Sequence, residues 1–341
     1  MRHELNAARF AADLSSMNDS MQAAPEVIRP SKFWQELNRK HAQRLSESGI
    51  ENFKRTLAKD YFTWMRVLPW DSQIRFLISQ LPVSATMGAL FGTIAPPKHQ
   101  HIPLAEGFAL NFLTRLIWAY AENVAPEQMA RLSEPALGNP PNIRKGGRLI
   151  SQDIANSVLE FQSFADAAKG TVCELGGGYG RTAFVTASLA PISKYIMVDI
   201  SPALGVSQEY LGAVFPDKRH FPFRDFSSFE IIREEYEAAD FVFLLPHQLA
   251  LLPDNSVDLF LNISSLHEMR MDQIRHYLAE IYRLVRRGGK FYLKAWKLSK
   301  NPVENIQIAE DDYPLANWTQ LYRRTPAVQT RFFETLLEKP A

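Results

Sequence analysis

Apolar residues follow a helical spacing in the first part of the chain and form short buried runs after it. Residues 104–124 predict a helix with one apolar face, because large apolar side chains recur there at every fourth position: Phe108, Phe112, Leu116 and Tyr120. Ser31 predicts the start of an earlier helix and Gly49 predicts its end, since these residue types favour helix termini. Residues 1–148 therefore predict a helical unit.

Four of the six tryptophans fall within this helical unit, at Trp34, Trp64, Trp70 and Trp118. Large aromatic side chains pack in cores more often than they line pockets, so core packing is the favoured interpretation. The alternative is that a minority of them line a substrate pocket.

Beyond Gly147, apolar runs of strand length alternate with helical stretches. The predicted strands are 171–175, 195–199, 241–245, 257–263 and 290–296, and the predicted helices are 154–167, 182–189 and 271–287, the last ended by Gly288-Gly289. Such alternation indicates parallel strands joined by crossover helices. Residues 318–324 and 329–337 predict a closing strand pair. The predicted fold is α/β, a Rossmann-like sheet over residues 149–341 with a helical N-terminal domain.

Charge and cysteine content narrow the class of partner. The chain has 38 basic and 37 acidic residues, a formal charge of +1, whereas nucleic-acid enzymes more often carry a basic excess. A small-molecule substrate is therefore expected. Cys173 is the only cysteine, so no intramolecular disulfide can form. The first residues lack an apolar signal core, and no apolar run is long enough for a membrane span, so a cytoplasmic protein is expected.

The most informative segment is the glycine-rich turn of residues 174–181, Glu-Leu-Gly-Gly-Gly-Tyr-Gly-Arg, between a predicted strand and a predicted helix. Glycines allow a tight turn and a close approach of the backbone to a ligand. The helix N-terminus offers free N–H groups to a carboxylate, such as that of S-adenosylmethionine (SAM). A dinucleotide fingerprint would need a third glycine where Arg181 stands. An ordinary glycine-rich turn is the alternative.

An acidic residue follows the next predicted strand. Asp199 can accept hydrogen bonds from both hydroxyls of a cofactor ribose, and Ile200 would then lie against the adenine. The alternative is that Asp199 caps the following helix.

These segments resemble the class I SAM-dependent methyltransferases, which share the Glu-x-Gly-x-Gly-x-Gly spacing and a stretch like Leu252–Leu259. An acidic residue of that family that contacts adenine is replaced by Pro246, so His247 and Gln248 are the substitutes expected to contact the cofactor. The chain also resembles a bacterial family assigned as sugar O-methyltransferases in residues 137–140, 151–157, 262–269 and 329–334. The resemblance implies SAM as cofactor and a sugar-containing acceptor. The cofactor-binding residues are then Glu174, Gly176, Gly178, Gly180, Asp199, Ile200, His247 and Gln248.

The catalytic candidates are His267 and Glu268, because they directly follow the fourth predicted strand, where cofactor and acceptor should meet. A sugar hydroxyl is a weak nucleophile, and a positioned base helps to remove its proton. We predict His267 as the base and Glu268 as its orienting partner; Glu268 as the base is one alternative, and a helix cap is another. Lys294 and Trp296 are further pocket candidates. No metal site is predicted.

Two other segments have open interpretations. Ser151, Gln152 and Asp153 cover the methionine end of SAM or cap the helix that follows. Arg144, Lys145 and Arg148 neutralise an anionic acceptor or are solvated surface charges. Two rival functions also stay open: a methyltransferase for another class of acceptor, and a SAM-binding protein without catalysis.

Overall fold

A computed structural model describes residues 7–57, 72–93, 104–303 and 305–341; Trp64 and Trp70 lie outside these ranges. The N-terminal part is helical, as the spacing predicts. Its helices are α1 (Ala7–Ala23), α2 (Lys32–Ser48), α3 (Phe53–Thr56), α4 (Ser72–Gln80), α5 (Val83–Phe91), α6 (Leu104–Val124) and α7 (Pro126–Ala130). The bounds of α6 are those predicted from its apolar face.

Helix α2 illustrates how local sequence fixes these bounds. The Ser31 hydroxyl accepts a hydrogen bond from the Trp34 N–H (3.4 Å), which satisfies one free donor of the first turn. At the other end, Gly49 takes φ +75° and donates its N–H to the Leu45 carbonyl (2.9 Å). Trp34 and Trp118 are both buried, and Trp34 also lines the cavity described below.

The second part carries the sheet. Its strands are β1 (Arg144–Lys145), β2 (Arg148–Leu149), β3 (Gly170–Leu175), β4 (Ile192–Val198), β5 (His220–Phe221), β6 (Phe241–Leu244), β7 (Val257–Ile263), β8 (Val285–Trp296), β9 (Leu298–Asn301), β10 (Ile306–Ala309), β11 (Thr319–Arg324) and β12 (Phe332–Glu338). Its helices are α8 (Gln152–Gln162), α9 (Arg181–Leu189), α10 (Ala203–Val214), α11 (Phe229–Ala238) and α12 (Met271–Leu284).

Eight strands form one sheet in the order β11-β12-β8-β7-β3-β4-β6-β5. The six strands from β8 to β5 are parallel, whereas β12 pairs antiparallel with both β8 and β11. The chain order reverses at β3, which has β4 on one side and β7 on the other. Ligands bind beyond the carboxyl ends of strands at such a reversal. The α/β fold and the closing strand pair are confirmed.

Two helix ends differ from prediction. The helix expected over 271–287 ends at Leu284, because Val285 already pairs with Val257 of β7 and is fully buried in the sheet. Gly288 and Gly289 then fall inside β8, where the register with β7 shifts, and do not end the helix. The helix expected over 154–167 ends at Gln162 and is followed by a 3₁₀ turn at Ala165–Ala167.

The helical part and the sheet share one continuous apolar core. Phe53 of α3 packs against Tyr179 of the glycine-rich turn, with ring centroids 5.2 Å apart, and α6 packs against α8. Lys54 forms a buried ion pair with Glu134 beneath this contact. Within the described ranges, none of the helices combines the length and apolarity that crossing a membrane requires.

Candidate active site

The glycine-rich turn lies directly beyond β3, at the reversal point of the sheet. Gly176, Gly178 and Gly180 have φ angles of 77°, 59° and 94°, a region that side chains with a Cβ rarely adopt. A Cβ on Gly176 would also overlap the side chain of Ser265. Helix α9 begins at Arg181, so its first N–H groups face the same turn. The turn is therefore built for a close backbone approach to a ligand.

Asp199 stands at the end of β4 and is held by the backbone. Its Oδ2 accepts from the Gly178 N–H and its Oδ1 from the Ile200 N–H, both at 2.7 Å. Burial raises the pKa of Asp199 to about 7, and the two N–H donors oppose that shift. Each oxygen keeps a lone pair for another donor, so the carboxylate can bind a diol.

Glu174 ends β3 and is fully enclosed. The Tyr195 hydroxyl donates to its Oε2 (2.7 Å), and burial raises the pKa of this carboxyl to about 7. Thr182 is a second hydrogen-bond partner of the carboxyl, and Glu174 also lines the cavity.

One cavity of about 440 Å³ connects these groups. Its lining includes Glu174, Gly176, Gly178, Asp199 and Ile200 on one side and His267 and Glu268 on another. The volume lies in the range of small-molecule sites. The structure thus brings seven of the ten residues predicted from the sequence to one site.

The loop after β7 carries His267 and Glu268 and is fastened to the glycine-rich turn. Asn262 donates its amide to the Leu175 carbonyl (2.9 Å) and accepts from the Leu266 N–H (3.1 Å). The His267 and Glu268 side chains approach to 3.7 Å between Nε2 and Oε1. The ring centroids of Trp296 and Phe332 each lie 6.1 Å from that of His267.

The two side chains differ in protonation. Burial lowers the pKa of His267 to about 3, so its imidazole is neutral at pH 7. Burial, together with the nearby Asp199 carboxylate, raises the pKa of Glu268 to about 8. The Glu268 side chain still keeps 35% of its accessible surface. His267 Nδ1 has no hydrogen-bond partner among the described residues.

Residues 173–293 match the family model of a methyltransferase domain. This segment is a class I SAM-dependent methyltransferase domain. SAM is its cofactor, and the residues present fit it: the glycine-rich turn admits a close ligand, and Asp199 has acceptor positions for a ribose diol.

Solved structures of similar fold cover about half of the chain. They include a SAM-dependent methyltransferase from Aquifex aeolicus (15% identity, 52% of this chain and 87% of the other, TM-score 0.36). Magnesium protoporphyrin IX methyltransferase from Synechocystis PCC 6803, with bound SAM, has 16% identity over 55% of this chain and 78% of its own (TM-score 0.37). The PH0226 protein from Pyrococcus horikoshii OT3 has 14% identity over 53% and 89% (TM-score 0.38). No curated protein matches the chain.

Three predicted cofactor residues of the methyltransferase domain are not among the cavity-lining residues. Gly180 forms the start of α9 and packs toward Leu211. Gln248 is fully buried with both ends of its amide bound to backbone, since it accepts from the Leu245 N–H and donates to the Arg224 carbonyl. His247 has its Nε2 3.3 Å from the Ser20 hydroxyl of α1. Pro246 lines the cavity in their place.

Lys294 and Trp296 have different surroundings. Trp296 lines the cavity, whereas Lys294 is buried and donates to Glu160 (2.9 Å), which also binds Arg181 (2.6 Å). Burial favours the neutral acid, but Arg181 and Lys294 outweigh it and lower the pKa of Glu160 to about 2. Lys294 therefore acts as a buried counter-charge behind the cavity wall.

The segment before β3 acts as a helix cap. Ser151 accepts from the Ile154 N–H (3.1 Å), and Asp153 accepts from the Tyr179 hydroxyl (2.7 Å), which braces the glycine-rich turn from behind. The capping interpretation fits these contacts.

The basic residues Arg144, Lys145 and Arg148 lie around the β1–β2 hairpin and are not among the cavity-lining residues. Lys145 pairs with Glu122, and Arg148 donates to the Met129 carbonyl (2.8 Å). The described residues contain no group of three or more His, Cys, Asp or Glu that could hold a metal.

The helical part also contributes to the lining of the cavity. Four of its residues line the cavity: Ile28, Pro30, Ser31 and Trp34. Gln273 and Tyr277 of α12 also line it. The sequence marks Ser31 only as a helix start and Trp34 by preference as a core residue. Their place at the cavity depends on tertiary contacts, such as that of the Arg29 carbonyl with Gln273 of α12.

Proposed function

We propose that this protein is a SAM-dependent O-methyltransferase that acts on a hydroxyl of a sugar or sugar-containing small molecule. The observation that carries the proposal is the position of the Glu268 carboxyl. It lies in the same cavity as the glycine-rich turn and as the aromatic side chains of Trp34 and Trp296. Aromatic faces pack on the apolar faces of sugar rings, while a carboxyl binds or deprotonates a hydroxyl.

In this proposal the methionine end of SAM lies along Gly176–Gly180, its ribose is held by Asp199, and its adenine lies beside Ile200. Bound SAM supplies a methyl group on a sulfonium. The chain supplies position and proton removal. The aromatic side chains that line the cavity hold the acceptor ring, and the loop after β7 presents its base to the reacting hydroxyl.

Glu268 is the better candidate for that base. A group with a pKa of about 3, such as His267, has little affinity for the proton of an alcohol, whereas the raised pKa of about 8 makes Glu268 a stronger base. This assignment reverses the roles expected from the sequence. His267 is then a neutral neighbour of the Glu268 carboxyl, with 3.7 Å between Nε2 and Oε1, and offers Nδ1 to the acceptor.

The helical part, residues 1–148, contributes acceptor specificity and covers the site in this proposal. Four of its residues, Ile28, Pro30, Ser31 and Trp34, line the cavity. A methyltransferase domain closed by an added helical unit can bind SAM with one set of residues and select its acceptor with another.

The test combines binding and turnover. Isothermal titration measures SAM binding, and release of the demethylated product is then followed over a panel of neutral sugars, glycosides and nucleotide-linked sugars. Methyl transfer to a sugar hydroxyl, located by mass spectrometry and NMR, would establish the proposal. SAM binding with transfer only to non-sugar acceptors would replace the sugar by another small molecule. SAM binding without transfer to any acceptor would favour a non-catalytic SAM-binding protein.

A further inference from the structure

The chain between α1 and α2, residues 24–31, crosses α12 and is fastened to it by two side chains. Gln273 donates its Nε2 to the Arg29 carbonyl (2.9 Å), and the Tyr277 hydroxyl lies 3.5 Å from the Ile28 carbonyl. Ile28 and Pro30 of this linker line the cavity. The position of the linker wall therefore depends on contacts with α12.

The same Gln273 amide also contacts the loop that carries the catalytic candidates. Its Oε1 accepts from the N–H of Arg270, the residue after Met269 at the end of that loop (3.2 Å). Gln273 is only 3% exposed. This second bond caps α12, whose N-cap residue Arg270 directly follows the loop. The Gln273 amide thus contacts the linker at Arg29 and the backbone at the end of the loop.

We propose that Gln273 is a positioning residue that couples the α1–α2 linker to the loop of Glu268. A buried amide that loses one partner leaves an unsatisfied polar group, so the two contacts stabilise each other. The position of the linker wall and the alignment of Glu268 then depend on the same side chain. The inference rests on the proposed function for its effect on turnover, but the coupling itself is measurable without an acceptor.

The test uses Gln273→Glu, which keeps an acceptor for the Arg270 N–H and loses the amide donor to Arg29. The matched control is Gln35→Glu, because Gln35 is exposed and donates to the neighbouring Pro30 carbonyl (2.9 Å). Amide hydrogen exchange is followed in the full chain with bound S-adenosylhomocysteine. The reporters are the hydrogen-bonded N–H groups of Ile28 in the linker and of Glu268 and Met269 in the loop.

Loss of one buried hydrogen bond should accelerate exchange about 3- to 10-fold, both in the linker and in the loop. The control variant, which loses an exposed bond to the linker, should leave exchange in the loop unchanged. With an acceptor, the variant should lose kcat and raise the acceptor KM while its affinity for SAM changes less than its turnover.

Faster exchange in the linker alone, or in neither segment, would overturn the coupling. If Gln273→Glu does not fold, Gln273→Met, which keeps side-chain length and loses both bonds, is measured under the same criteria. A wild-type protein without sugar methylation would refute the proposed function, whereas the exchange result would still decide the coupling.

Discussion

Replacing Glu268 by glutamine is the sharpest test of the proposed chemistry. The amide keeps the size of the side chain and removes its ability to take a proton. A positioned general base contributes about 10²–10⁴-fold to rate, so kcat should fall by that factor. SAM affinity should stay close to that of the wild type, because Asp199 and the glycine-rich turn are unchanged.

The pH dependence of kcat gives a second test of Glu268 as the base. The reactive form of Glu268 is the carboxylate, and its pKa is raised to about 8 by burial and by Asp199. At pH 7 about one tenth of the protein carries the carboxylate, and at pH 9 about nine tenths does. The wild-type kcat should therefore rise roughly tenfold between these pH values. The Glu268→Gln variant has no titrating group at this position, so that rise should disappear.

The assay is product release at saturating SAM and acceptor between pH 5.5 and 9.5. The matched control is His267→Asn: since burial lowers the pKa of His267 to about 3, its removal should not move the rise near pH 8. Activity that instead rises near pH 6.5, the ordinary range of imidazole, and loses that rise in His267→Asn would refute the assignment and make His267 the base.

Three further results are expected. Asp199→Ala should weaken SAM binding by about 2–3 kcal/mol through two lost charge-assisted bonds; unchanged affinity by calorimetry in a folded variant would contradict this placement. Trp34→Ala should reduce acceptor kcat/KM more than SAM affinity, and equal losses would argue against a role in acceptor specificity. Because the pKa of Glu160 is lowered from 4.5 to about 2, its carboxylate should stabilise the folded state at pH values above 4.5. That contribution should be lost as the pH falls toward about 2. In a plot of Tm against pH, Glu160→Gln should therefore reduce the fall of Tm at acidic pH. An unchanged fall would show that Glu160 does not contribute to it.

The sequence predicts the bounds of a helix or strand well where the residues of that segment alone determine them. The bounds of α6 and β7 agree with prediction, because an apolar face at helical spacing and a run of buried residues are each complete within their own segment. The boundary at Val285 is different. Nothing in the sequence separates the end of α12 from the start of β8 there, since it is pairing with Val257 that turns the chain into a strand.

The same distinction applies to the site. Glu174, Gly176 and Asp199 could be predicted to share one cavity, because each lies next to the end of a strand that the sequence itself marks. His247 and Gln248 were expected to contact the cofactor in place of the acidic residue that Pro246 replaces. The amide of Gln248 is instead bound at both ends by backbone groups. The protonation of His267 also could not be predicted, because it depends on burial by rings that come from β8 and β12.

The cavity is lined by residues of both the methyltransferase domain and the helical part, and each part would affect the choice of acceptor differently. Asn262 fastens the loop of His267 and Glu268 to the glycine-rich turn, so the cofactor contacts and the proposed base form one unit of the methyltransferase domain. The lining residues of the helical part belong to a separate segment, which is held through Gln273. Substitutions in residues 24–34 can therefore reshape the acceptor space while the bonds that hold Asp199 stay intact. Selection for a new acceptor would act first on that segment, since changes in the methyltransferase domain disturb cofactor and base together.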